Sequence, residues 1–468
     1  MIANLRADEA AELATLKVRD GARFLWLFCE RVGDATIARY VVDRQGRLES
    51  FEGVATPGTR SLSKDVPASR WYEQEARYRY GVDFGGPSDE PSIVKAPEAD
   101  AERMRRALGD EVSTVLYGPI RSGIVESACW VIETAGEDFI CVHPSMFFKH
   151  RGLEKRFEGV RLELAPLIAE HVSGVTPSSH ATAFCRTVEA ALGIDVPKRA
   201  RAARAILVEL ERIHQHLDSL AKLADDGSLS VGSALTFAAK ERVHRMLCDA
   251  TGHRFARGSI CIGGVREDVF SSLSQSAVRM LDDVEREALS ALEGLFGTQS
   301  LMDRLVGTGR LSQRTVSDYG GVGPVARGSG VVNDARLTDG WLYTRLEAEE
   351  ARETEGDALA RARVRETEIR RSFQHVRNML DAAPAGPYRT KLSEGSLRGE
   401  AAAFGRVESP QGELIYFVRY HNGLHRVAIR SASFANWPLF VPSLPGNIFT
   451  DFSFIEHSFG LVQAETDR

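Results

Sequence analysis

The chain has 468 residues, enough for two or three domains with a sizeable core. Its formal net charge is −6 and its isoelectric point is near 6.1, so the basic footprint of a nucleic-acid-binding protein is absent. No run of about 18 apolar residues occurs, and "MIANLRADEAAEL" lacks a secretion-signal core, so a cytosolic protein with no membrane span is expected.

Residues 1–85 read as a small α/β unit. "ADEAAELATL" is helical, "ARFLWLFCE" and "TIARYVVD" are strands, and a helix follows near "PASRWYEQEARYRYG". The stretch "GGPSDEPSIVKAPEAD" (86–100, with Gly85 at its edge) is rich in Pro, Gly and acid, and reads as an exposed, protease-sensitive linker. The second domain, 101–468, opens with strand-like "VSTVLYG" and "GIVESACWVIET". From about 145 to 380 the pattern is helical. Ile206, Leu210, Ile213, Leu217 and Leu220 recur at spacings of three and four, which marks the buried stripe of one long helix. "GDALARARVRETEIRRSFQHVRNMLDAA" is another helix, stopped by Pro384 and Gly386. Strands return over 400–435. The fold class is α+β: a small α/β domain before a mainly helical body with peripheral strands.

Few residues suggest chemistry by pattern alone. The six cysteines, Cys29, Cys129, Cys141, Cys185, Cys248 and Cys261, form no C-x-x-C pair, and their apolar contexts read as core positions rather than a disulfide framework or zinc site. His214 and His216 point about 200° apart on a helix and cannot share a metal; His214 reads as a packed residue. "KRARAAR" (Lys198–Arg204) reads as a solvated face. Neither Gly263–Gly264 nor "YGGVGPVARGSG" makes a dinucleotide fingerprint. Two stretches stand out. In "FKHRGLEKRFEG", His150, Glu154 and Glu158 recur every four residues, on one face of an expected helix, with Glu154 between Arg151 and Lys155; the bland reading is an exposed ion-paired turn. The tail "GNIFTDFSFIEHSFGLVQAETDR" carries Phe449, Phe452, Phe454, Ile455 and Phe459, and is expected to dock.

These motifs together resemble the hydrogenase-3-type (group 4, membrane-bound) nickel–iron hydrogenase large subunits and the related quinone-site subunit of respiratory complex I, in the fused C–D form. Ser61–Gly86 is similar to the C-type subunit of complex I. From "YGPIRSGIVES" onward the chain resembles the large subunit, or the D-type subunit of complex I, through "HRGLEKRFEG", "SSHATAFCRTVEAALG", "ATGHRFARG", "GPVARGSGV", "EGDALARARVRETEI", "RVAIRSASFANW" and the final "TDR". In that family "CGIC" and "DPCxxC" hold nickel and iron. Here the ligand positions are Ser173, Thr176, Val462 and Glu465, so all four thiolates that select this metal pair are replaced. Gln411 stands where the hydrogenases have an arginine over the metal. Gly174 stands where complex I has its quinone-donating tyrosine, and Arg121 takes the place of its hairpin histidine.

The resemblance implies a catalytic-module subunit with no metal or cofactor of its own, passing electrons from an iron–sulfur cluster in a partner small subunit (like the B-type subunit of complex I) to a quinone or other small acceptor. The other implied partner is a membrane-arm subunit (like the H-type subunit of complex I), which places the chain peripherally on the cytoplasmic side of the membrane. Glu154, His180, Arg121 and Arg327 are the expected cavity residues. Glu154 is the expected proton relay, its pKa set by burial against Arg151 or Arg327, and Glu465 is a further member. The alternative is a structural docking subunit, favoured if Phe452, Phe454 and Phe459 fill the cavity; an active hydrogenase ranks third.

Overall fold

The computed structural model describes residues 5–85, 93–94, 111–121, 126–273, 275–338, 351–392 and 399–468. Near the N-terminus, helix Ala7–Arg19 packs on a three-stranded antiparallel sheet, Arg23–Val32, Ala35–Arg44 and Arg47–Val54. The third strand carries half-exposed charged residues and gave little period-2 signal. Helix Arg70–Tyr80 follows and ends at Gly81, whose φ of 68° suits a residue without a Cβ.

The N-terminal sheet is not insulated from the rest. Its buried residues share one apolar cluster with Trp130, Ile415, Phe417, Phe434 and Phe459. Phe28 meets Phe417 at 5.1 Å between ring centroids. Arg23 pairs with Glu413 at 2.9 Å, and Arg419 with Glu30 at 2.7 Å. Residues 86–92 and 95–100 lie outside the described residues. Ile93 and Val94, between them, are buried, and the Met146 amide donates to the Ile93 carbonyl at 2.7 Å. Those two residues therefore differ from the expected exposed linker, because their apolar side chains have a core to enter.

In the helical body the helix Lys198–Asp226 carries the expected stripe, with Ile206, Leu210, Ile213 and Leu217 fully buried. It is buried on its charged side as well. Arg204, expected on a solvated face, is buried in a bidentate pair with Glu189 at 2.6 and 2.9 Å. His214 packs on His244, 4.4 Å between rings, and His216 reaches Glu368 at 2.7 Å on another side, as the i, i+2 geometry requires. Helix Ala358–Asp381 starts at an Asp357 side chain that accepts from the Ala360 amide. Strands Glu400–Ser409, Gly412–His421 and Leu424–Arg430 form the last sheet, its middle strand almost wholly buried. Four cysteines are buried, Cys141 is half-buried, and Cys248 is exposed rather than in the core.

Phe434 lies where these parts meet, its ring facing Trp71, Tyr72 and Phe147 at 5.3–6.0 Å. Phe434→Ala is expected to cost about 3–5 kcal/mol in urea unfolding. The loss should appear as one shifted transition in both fluorescence and circular dichroism. Two separate transitions in the variant would contradict a shared core.

Candidate functional site

The helix Pro177–Leu192 begins with proline at its first turn and ends at Gly193, φ 64°. Its amino end is held by Glu211 of the long helix, whose carboxylate accepts from the Ser178 and Ser179 amides at 2.7 and 3.0 Å. Burial pushes the Glu211 carboxyl up to about 7, against those hydrogen bonds. This anchoring fixes the turn Ser173–Thr176 and, one turn on, His180.

Three of the four replaced ligand positions converge there. Thr176 Oγ1 lies 2.6 Å from Ser173 Oγ and 3.2 Å from Glu465 Oε1. His180 Nε2 is 3.5 Å from the same Glu465 oxygen, and His180 Nδ1 is 2.8 Å from the Tyr416 hydroxyl. Placing the imidazole proton on Nε2 satisfies both contacts: Tyr416 donates to Nδ1, and Nε2 donates to Glu465. The Ser433 amide donates to the other Glu465 oxygen at 3.3 Å. Burial alone would raise the Glu465 carboxyl, but the His180 and Ser433 contacts outweigh it and hold the pKa below the ordinary value. Burial raises the Tyr416 phenol well above its ordinary range, so it stays protonated. Ser173, Thr176, His180, Tyr416 and Glu465 are all fully buried, beneath a Gly174 that is exposed. Val462 is half-buried and takes part through its amide, which donates to Ser433 Oγ. This donor set does not fit a nickel–iron centre. It offers two hydroxyls bonded to each other, one methyl-bearing side chain and a carboxylate already held by His180 and Ser433, where soft thiolates are required.

Glu154 occupies a different environment. The expected helical face does not form: Gly152 is left-handed, φ 62°, and only Leu153–Arg156 is helical, so His150 and Glu158 are exposed. Glu158 pairs with Lys155 at the surface, but Glu154 is buried. Arg79 and Arg426 donate to Glu154 Oε2 at 2.7 and 3.0 Å, and Arg468 and the Ile429 amide donate to Oε1 at 3.2 and 3.0 Å. Burial favours the neutral acid, yet the three guanidinium groups prevail and hold the carboxyl far below its usual range. The cavity beside it measures about 10 Å³, room for one water at most. Neither expected partner touches it. Arg151 donates to the Val172 carbonyl and to backbone carbonyls of His171 and Ala464. Arg327 is buried between Glu368 and Glu408, at 2.6 and 2.8 Å.

The four expected cavity residues therefore have separate partners. Arg121 pairs with Glu456 at 2.8 Å and stacks over Tyr117. Only His180 belongs to the cluster at the replaced ligand positions. Phe452 packs on Tyr117, Trp130, Phe139 and Phe440, and Phe459 on Phe440, so these rings have partners other than that cluster. Sequence reasoning missed Tyr416 and Ser433; the family motifs leave out the first and run through the second without marking it. It also missed a cavity of about 550 Å³ lined by Thr182, Glu189, Arg204, Arg336 and Glu408. Thr182 is two residues beyond His180, so this cavity lies on another side of the same helix.

The fold and the converging ligand loops define a large subunit of the type shared by nickel–iron hydrogenases and complex I. Residues 225–403 match the family of the respiratory-chain NADH dehydrogenase 49 kDa subunit, and residues 151–238 match the nickel-dependent hydrogenase family. The chain is 30% identical over 442 residues to formate hydrogenlyase subunit 5 of Escherichia coli, covering 88% of this chain and 77% of that one. It is 28% identical to the D-type subunit of the NADH-quinone oxidoreductase of Thermosipho melanesiensis, covering 76% of this chain and 99% of the relative. A solved chain of the membrane-bound sulfane sulfur reductase, an archaeal respiratory membrane complex, superposes with a TM-score of 0.70 at 25% identity, covering 78% of this chain and all of the other. The chain belongs to the family that unites membrane-bound hydrogenase large subunits with the 49 kDa, D-type subunits of complex I. Among the described residues no helix is long and apolar enough to cross a membrane.

Glu154→Gln removes the charge but keeps the shape, leaving Arg79, Arg426 and Arg468 without their carboxylate. A loss of about 3–5 kcal/mol at pH 7 is expected. Because the folded pKa is depressed, the contribution is present above the unfolded value of about 4.3 and fades as pH falls toward the folded one. The gap between wild type and variant should begin to narrow as pH falls below about 4.3 and close only as pH nears the depressed folded value. Equal stability at pH 7 would show that the clamp contributes nothing.

Proposed function

We propose that this chain is the electron-transferring large subunit of a membrane-bound, complex I-like complex, and that it works without a nickel–iron centre. It receives electrons from an iron–sulfur cluster in a small subunit resembling the B-type subunit of complex I and passes them to a quinone or another small acceptor. A membrane-arm subunit resembling the H-type subunit of complex I holds it at the cytoplasmic face. The likeness to a sulfane sulfur reductase adds sulfur–sulfur bonds to the acceptors worth testing.

One observation carries this reading. The replaced ligand loops converge on a buried Tyr416–His180–Glu465 line, a set of groups suited to moving protons. Reducing a quinone consumes protons as well as electrons. His180 takes up a proton at Nδ1 through the Tyr416 hydroxyl, which is reprotonated from water, passes through an imidazolium that the ionised Glu465 stabilises, and returns to neutral by releasing the Nε2 proton to the acceptor. Buried polar atoms without partners among the described residues flank Glu465 in the chain and support the same reading: both Gln463 side-chain polar atoms and the Thr466 hydroxyl. Such atoms are costly in a finished core and acceptable where a polar guest or water binds. Proton handling thus falls to His180 and Glu465, not to the clamped Glu154.

A structural docking role is the second reading. The complete burial of Ser173, Thr176, His180 and Glu465 favours it. The assembled complex, purified with its partner subunits, separates the two. The first reading expects no stoichiometric nickel and a fall in acceptor reduction of about 10²-fold or more in Glu465→Gln, with subunit composition unchanged. One nickel per complex would refute the metal-free claim. Turnover unaltered by Glu465→Gln would leave the docking role.

A further inference from the structure

The hairpin Cys129–Ala135 and Asp138–Ser145 gathers metal-ligating side chains at a place that none of the replaced ligand positions occupies. Its antiparallel register sets Glu133 opposite Cys141, and His143 follows two residues along the same strand. All three side chains therefore project from one face of the sheet. The neighbouring residues Trp130, Ile132 and Val142 project from the other face into the apolar core. One ligand atom from each of Glu133, Cys141 and His143 lies within 4.8 Å of the others. Cys141 Sγ and His143 Nε2 are 3.4 Å apart.

That spacing has a chemical meaning. Tetrahedral zinc bonds of about 2.0–2.3 Å place ligand atoms roughly 3.3–3.8 Å apart. The sulfur–imidazole pair already has this separation, and an oxygen of Glu133 lies within 4.8 Å of both. A thiolate with an imidazole selects zinc-type ions over magnesium or calcium, which take oxygen ligands. Glu133 is fully buried and His143 nearly so, which sets the ligands firmly, while the half-buried Cys141 leaves a path for the ion.

We propose that Glu133, Cys141 and His143 form a divalent metal site of zinc type. Zinc has no redox chemistry, so the ion braces the hairpin that carries Trp130 and takes no part in electron transfer. The proposal stands whether or not the functional reading above is right.

The test uses the full-length chain without an affinity tag, reduced, stripped with a chelator, and titrated with zinc chloride or cobalt chloride. The expected result is one equivalent of zinc bound and, with cobalt, a thiolate-to-metal charge-transfer band. Cys141→Ser should abolish the band and weaken zinc binding by more than about tenfold, as should His143→Gln for affinity. Cys248→Ser, at the exposed cysteine, should bind as the wild type does. Circular dichroism checks the fold of each variant, and Glu133→Gln replaces any that does not fold. Absence of stoichiometric binding, equal affinity in Cys141→Ser and His143→Gln, or loss of binding in Cys248→Ser would overturn the site.

Discussion

The arrangement depends most on one buried carboxylate. Glu154 sits on a single helical turn, yet its partners come from three distant parts of the chain: Arg79 from the N-terminal unit, Arg426 and Ile429 from the last sheet, Arg468 from the tail. Taking these charges out of water costs several kcal/mol per ion. The cost is offset only because the set is nearly complete. Glu75 accepts from Arg468 at 3.0 and 3.1 Å and pairs with Arg79 at 3.2 Å, so the arginines have a second carboxylate. Arg468 also lies over the Phe434 ring, which joins the ionic clamp to the shared apolar core. Through Arg468 the clamp holds the end of the tail, and with it Glu465 against His180.

A second buried network plays a comparable part deeper in the body. Arg327 lies between Glu368 and Glu408, Arg336 pairs with Asp334 at 2.6 Å, and Arg212 donates to the Glu408 and Ser409 carbonyls at 2.7 and 3.0 Å. Burial and the nearby Asp334 push the Glu408 carboxyl up to about 7, against Arg327. These groups tie the two long helices to the last sheet. An arginine held between two carboxylates is fixed in place and stays charged, so Arg327 is a structural element here and not a cavity wall.

Much of the architecture was legible in the sequence. The stripe from Ile206 to Leu220, the first hairpin, and the docked aromatic tail are periodic or compositional signals, and the fold obeys them. The family motifs located the converging loops without geometry. What sequence could not supply was partner choice. Glu154 lies 75, 272 and 314 positions from the arginines that bind it, while spacing drew attention to Arg151, three residues away. The same limit hid Glu133, Cys141 and His143. Searching for C-x-x-C spacing finds nothing, because strand register, not sequence proximity, brings a carboxylate opposite a cysteine. Likewise "KRARAAR" resembles a solvated face until Glu189 is found against Arg204.

In the hydrogenases that the motifs resemble, metal–thiolate bonds join the two ligand loops. Here hydrogen bonds to one carboxylate make the same junction: Thr176 and His180 from one loop, Ser433 from the helix beside the tail, all meeting at Glu465. A buried anion with these contacts is stable where it stands, but removing any one donor leaves an uncompensated charge. The replacement is therefore coherent as a group, since an alkyl side chain at position 465 would leave the mutually bonded Ser173 and Thr176 hydroxyls, and the His180 Nε2–H, without their shared carboxylate. It also changes what the site can offer a guest molecule. A metal centre offers a Lewis acid and exchangeable electrons; this cluster offers an imidazole held between a phenol and a buried carboxylate.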